Sequence, residues 1–100
     1  TAVAGPQTKV VSAVEYIRSP KAEYLPVAKR MGEEGKVIMR DLVNEKGKAE
    51  KVEKQKSSGF GRLDEAARIA VMRALFKPYI EDGKPLVVLA TATINFSLSS

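Results

Sequence analysis

Residues 86–98 read LVVLATATINFSL, and apolar side chains fall on every second position throughout. Leu86, Val88, Ala90, Ala92, Ile94, Phe96 and Leu98 share one face, while Val87, Leu89, Thr91, Thr93, Asn95 and Ser97 share the other. A period of two marks a strand with one buried face. These thirteen residues are about twice the usual strand length, so part of the strand is expected to lack a full-length neighbour, and an unpaired edge invites another strand.

A strand face of this kind needs a cover, and the chain supplies one upstream. Leu63, Ala66, Ala67, Ala70, Val71, Ala74 and Leu75 recur at helical spacing, which predicts a helix starting near Leu63 with one apolar stripe. Asp64 and Glu65 in its first turn and Arg73 and Lys77 in or beyond its last suit the helix dipole, and Pro78 forbids continuation. Residues 81–85, EDGKP, form the turn between helix and final strand.

Further upstream, residues 9–17 (KVVSAVEYI) fit a short strand stopped by Arg18-Ser19-Pro20. Pro26 opens a helix of about two turns that Gly32 ends. Residues 35–43 predict a strand with Val37, Met39 and Val43 on one face and Ile38 and Leu42 on the other. Asn44-Glu45-Lys46-Gly47 turns it into a polar return strand over residues 49–56. Asp41 continues the Val37 face where an apolar residue is expected, so a paired or peripheral carboxylate is expected there. The fold class is α+β: a small antiparallel sheet of about three strands, plus a short N-terminal strand, with two helices packed on one face. Residues 1–8 are expected to be a flexible N-terminal segment and residues 9–100 a single domain.

Composition narrows the function. The 100 residues contain no cysteine and no histidine, which removes thiol nucleophiles, disulfides, the usual zinc ligands and the side chain best suited to proton transfer near neutral pH. Acidic residues are scattered, and Glu33-Glu34, in a glycine-bounded turn, are expected to be solvated. Gly59-Phe60-Gly61 before the long helix lacks the Lys-Ser/Thr of a phosphate-binding loop. A net charge of +5 favours acidic partners, and Lys46, Lys48, Lys51, Lys54 and Lys56 cluster on one hairpin. The aromatic residues that would stack on bases are dispersed, however, and Tyr24, Phe76 and Phe96 are expected in the core, so nucleic acid is not an expected partner. No catalytic residue, metal set or cofactor is expected; the chain reads as a binding module rather than an enzyme.

Several segments taken in order resemble one family, the C-terminal domain of TonB, the energy transducer of Gram-negative bacteria. They are Tyr24 with Ala28 before Gly35 and Val37, then Val43 and Gly47, Ser57-Ser58-Gly59, and Arg62-Leu63-Asp64-Glu65-Ala66-Ala67. Phe76-Lys77-Pro78, Asp82-Gly83-Lys84-Pro85, and Ile94 with Phe96 complete the set. The chain departs from the family where Tyr24-Leu25-Pro26 stands for Tyr-Pro, where Leu75 occupies a position often held by Trp or another large residue, where Thr93 replaces a frequent proline, and where Asp41 replaces an apolar residue. Thr93 restores a backbone donor to the final strand.

The resemblance implies a periplasmic domain whose full protein carries an inner-membrane anchor and a Pro-rich spacer and works with ExbB and ExbD through that missing N-terminal part. It implies pulling on the TonB box of outer-membrane receptors for siderophores, haem or vitamin B12, a segment that adds as a strand to the edge of the last strand. The partner-binding residues are then Leu89, Ala90, Thr91, Ala92, Thr93, Ile94, Asn95 and Phe96, with Lys21 and Tyr24 as a second contact. An exposed edge can also pair with its own copy as a homodimer. The alternative is a structural cell-envelope domain of the TolA C-terminal type, which would bind folded proteins; a basic RNA-binding module is weaker still.

Overall fold

The computed structural model describes residues 9–11 and 14–98. In chain order the elements are β1 (Lys9–Val11), β2 (Tyr16–Arg18), α1 (Pro26–Arg30), β3 (Gly35–Val43), β4 (Ala49–Lys56), α2 (Gly61–Arg73), β5 (Leu75–Phe76), β6 (Tyr79–Glu81), β7 (Lys84–Leu86) and β8 (Val88–Phe96). The main sheet has the order β1-β8-β3-β4; β8 and β4 both run antiparallel to β3, and β1 lies parallel to β8. The three-strand antiparallel core, the added N-terminal strand and the two helices agree with the α+β class expected from sequence.

The centre of the sheet is regular. β3 and β8 pair without a break from Gly35↔Phe96 to Val43↔Val88. Their inward residues Val37, Met39, Val43, Val88, Ala90, Ala92 and Phe96 are buried, as period-two patterning requires. α2 covers this face with Leu63, Ala67 and Val71, and the small Ala67 lets the helix come close to the sheet. α1 contributes Ala28 to the same core.

Five expectations are corrected. The final strand is shorter than residues 86–98: Leu86 belongs to β7, Val88–Phe96 forms β8, and Leu98 lies beyond it with its amide donating to Glu34 Oε1 at 2.9 Å. The break has a cause in the turn at Asp82-Gly83, where both residues have positive φ (53° and 76°), the geometry of a tight hairpin that pairs Tyr79–Glu81 with Lys84–Leu86 before the main strand begins. The long helix stops at Arg73. Ala74 is extended, and Leu75–Phe76 leaves the helix to pair with Tyr16–Arg18, while Arg18 Nε and Nη2 donate to the Arg73 carbonyl at 3.3 and 3.1 Å. The single strand expected over residues 9–17 is two three-residue strands in different sheets. Glu33 is buried rather than solvated, at 6% exposure, because both its oxygens accept from Arg62 Nε at 3.0 and 3.1 Å.

Asp41 is the fifth correction. It is neither paired nor peripheral: it is fully buried on β3 between Val52 and Ala90, and neither oxygen has a hydrogen-bond partner. Burial pushes its carboxyl up to about 7, since the charged form loses its hydration. The flexible segment expected over residues 1–8 lies outside the described residues.

The loop before α2 is held by Asp64 in the helix's first turn. Its carboxylate accepts from Ser57 Oγ, from the Ser58 amide at 3.0 Å and from Ser58 Oγ at 2.7 Å, and it pairs with Lys54 Nζ at 3.0 Å. Burial alone would push this carboxyl up, but the hydrogen bonds from Ser57 and Ser58 and the Lys54 ammonium override it and hold the group well below the usual carboxylate range. The helix N-terminus thus already holds an anion of its own chain.

Candidate strand-docking edge

β8 has two edges with different surroundings. One is paired to β3 along its whole length. The other meets β1 only at Val88, Leu89 and Ala90, and β1 is pinned by Lys9, whose ammonium pairs with Glu81 at 2.6 Å and lies 5.4 Å from the Tyr79 ring centroid. From Thr91 to Phe96 no strand of the described residues lies against this edge. At about 3.3 Å per residue the open length is roughly 20 Å, enough for about six residues of an added strand.

The opposite edge of the same sheet is built to resist pairing. β4 is the other edge strand, its residues Lys51, Glu53, Lys54 and Lys56 are charged, and its pairing to β3 is broken by irregularities at Ile38/Met39 and Leu42/Val43. Charge and bulging are the usual guards of an exposed edge. Residues 91–96, TATINF, carry no charge, and β8 keeps perfect register with β3. Of the two edges, only the stretch of β8 over residues 91–96 is both uncharged and in unbroken register with its neighbour.

The eight edge residues expected from sequence are all on β8, but the structure separates them. Leu89 and Ala90 are covered on the outer edge by β1, which leaves Thr91, Ala92, Thr93, Ile94, Asn95 and Phe96. Ala92 and Phe96 point into the core, Ile94 is half-buried, and Thr93 and Asn95 are exposed. Tyr24 stands at the far end of this open length: its ring meets Phe96 edge-on with centroids 5.3 Å apart, and its hydroxyl donates to the Glu33 carbonyl. Lys21 is not at the strand; it lines a groove with Ala70 and Arg73 of α2. Two features escaped the sequence. The N-terminal strand was expected, but its parallel pairing to β8 has no local signal, because a parallel neighbour carries no hairpin turn. Arg40, opposite Thr91 on β3 and with its buried Nε unpartnered, reads in sequence as one more basic residue. Among the described residues no three His, Cys, Asp or Glu side chains gather as a metal site, and no helix is long and apolar enough to cross a membrane.

The domain is an α+β sheet with one charged, irregular edge and another that is partly unpaired among the described residues. The comparisons give its family. The family described as Gram-negative bacterial TonB protein C-terminal matches residues 20–98, and the chain belongs to it. This family is a periplasmic, transport-associated domain of an energy transducer rather than an enzyme. Protein tonB2 of Pseudomonas aeruginosa is 37% identical over 84 residues, which cover 84% of this chain and 31% of that protein; the chain spans about a third of its relative's length. The solution NMR structure of the Pseudomonas aeruginosa TonB CTD superposes with a TM-score of 0.72 at 22% identity, covering 87% of this chain and 88% of that one. The TonB2 protein of Vibrio anguillarum gives a TM-score of 0.67 at 20% identity over 100% and 95%. At these identities the two structures speak for the fold.

Proposed function

We propose that this domain captures an extended segment of an outer-membrane receptor, its TonB box, by strand addition to the open edge of β8 over residues 91–96, and transmits a pull along it. The observation that carries this reading is the contrast between the two sheet edges, one charged and irregular, the other uncharged, in register and, among the described residues, unpartnered from Thr91 to Phe96. Strand addition draws its affinity from main-chain hydrogen bonds and its selectivity from alternate side chains. It needs neither histidine nor cysteine, and the chain has neither. Thr93 and Asn95 are the exposed side chains that would read the added strand, and Tyr24 with Phe96 would close its end.

A pull along β8 is shared with β3 through nine residue pairs, so the load enters the centre of the sheet rather than a peripheral strand. In the whole protein the work would come from the proton gradient through ExbB and ExbD, acting on an inner-membrane anchor and spacer outside this chain, and would serve uptake of siderophore-bound iron, haem or vitamin B12. The same edge offers a route to a homodimer at high concentration.

Single prolines introduced in turn at residues 91–95 test the reading. Where an amide faces β3, proline removes a ladder bond and destabilises the fold; where it faces outward, the domain stays folded. The folded variants are expected to lose binding to a receptor box peptide in titration calorimetry, and unchanged affinity in every folded variant would refute strand addition here.

A further inference from the structure

On the helix side of the molecule, the segment running from β2 toward α1 lies beside the outer flank of α2 and leaves a cleft of two adjoining hollows, about 220 and 440 Å³, that share Lys21, Ala70 and Arg73. One hollow is floored by Leu25, Ala66, Ile69 and Ala70, and Ile69 is 38% exposed although aliphatic. The other is bordered by Arg18, Ser19, Lys21 and Arg73.

The charges around the cleft do not cancel. Arg62 on its border is committed to Glu33, and Glu65 to Arg68, whose Nη2 lies 2.6 Å from Glu65 Oε2. Arg18, Lys21 and Arg73 have no carboxylate partner among the described residues, and Glu23 is the one further acid lining the cleft. Arg18 donates to the Arg73 carbonyl at the end of α2, which offsets the partial negative charge of that helix terminus without neutralising the guanidinium. An aliphatic floor next to three unneutralised cations is complementary to a ligand that presents an apolar side chain beside a carboxylate. A flat lipid surface would meet only the rim of a recess, whereas side chains enter it.

We propose that this cleft is a second docking site, distinct from the β8 edge, for a peptide segment of a partner protein in which acidic and aliphatic residues adjoin. It is built from elements other than the open edge, so it stands or fails separately from strand addition.

The test is an amide NMR titration of the chain with acetyl-Glu-Leu-Asp-Leu-amide, run beside its uncharged analogue acetyl-Gln-Leu-Asn-Leu-amide and beside phosphatidylglycerol vesicles. The acidic peptide is expected to shift amides of residues 18–25 and 66–73 and to bind more weakly as salt rises. The uncharged analogue and a Lys21→Glu, Arg73→Glu double variant should each bind about fivefold more weakly or worse. Should the double variant lose its native spectrum, the Lys21→Gln and Arg73→Gln single variants supply the same reading. Shifts confined to residues 91–96, equal binding of the two peptides, or no shifts at all would overturn the proposal. So would shifts of the cleft by vesicles in the absence of any by peptide, which would assign the surface to lipid.

Discussion

The Asp41 carboxyl is enclosed on all sides on the central strand, cross-strand from Val52 and Ala90, and the nearby Tyr16 hydroxyl is itself held above its usual range by burial and by Asp41. With its folded value raised to about 7 against an ordinary 3.8, the folded chain binds a proton that the unfolded chain releases. The stability this group allows is therefore complete below about pH 4, falls as pH rises, and is lost above about pH 7. Asp41→Asn, neutral throughout, is expected to match the parent near pH 4 and to be more stable by roughly 2–4 kcal/mol at pH 8. Thermal melts at the two pH values check this, and a difference independent of pH would contradict it. Asp64 has the opposite sign: its folded value is depressed, so its contribution is present above about pH 4 and lost as pH falls. Asp64→Ala should cost about 2 kcal/mol at neutral pH in urea unfolding, because Ser57, Ser58 and Lys54 lose a shared acceptor. Sequence pattern identified Asp41 as out of place but not its lack of a partner. Pairing depends on what the fold brings near: Val52 and Ala90 flank Asp41 on the sheet, and the nearby Tyr16 hydroxyl makes no hydrogen bond to it.

Among the elements, the strands and helices with strong periodicity were legible and their ends were not. Residues 35–43 and 49–56 form the expected hairpin, because alternation and the Asn44-Glu45-Lys46-Gly47 turn point the same way. The helix overran in the sequence reading because Ala74 and Leu75 continue its apolar stripe, yet Leu75 and Phe76 gain backbone partners in β2 and a place beneath Tyr16, whose ring centroid is 5.0 Å from that of Phe76. Tertiary pairing overrides local pattern there. The same small sheet fixes the hairpin turn: Phe76 donates its amide to the Gly47 carbonyl at 2.8 Å, and a Cβ on Gly47, at φ +86°, would fall 2.0 Å from the Phe76 carbonyl oxygen. Gly47→Ala therefore has to move β5 as well as adopt a strained conformation, and it is expected to lower stability by about 2 kcal/mol or more in urea unfolding. A loss under about 0.5 kcal/mol would mean that the turn and β5 are not coupled.

For the molecule as a whole, composition and strand pattern pointed to a binding module with a strand edge, the family resemblance implied the peptide, and strand order determines which part of that edge is left for it in the proposed reading. The absence of cysteine and histidine and the long alternating strand directed attention to backbone recognition. They could not show that β1 would cover Leu89 and Ala90, nor that the lysines of β4 would stand on the edge opposite to the open one, since both depend on strand order. Those two facts shorten the expected docking site from eight residues to the six from Thr91 to Phe96 and give it a direction, away from β1 and toward Tyr24. Interstrand NOEs between a labelled receptor box peptide and this domain test that claim most directly. Strand addition at this edge predicts peptide-to-protein backbone contacts stepping along residues 91–96, with their outward amides newly protected from exchange and those of Val88–Ala90 unchanged. Binding with no backbone contacts along these six residues, or with contacts along β4, would contradict it.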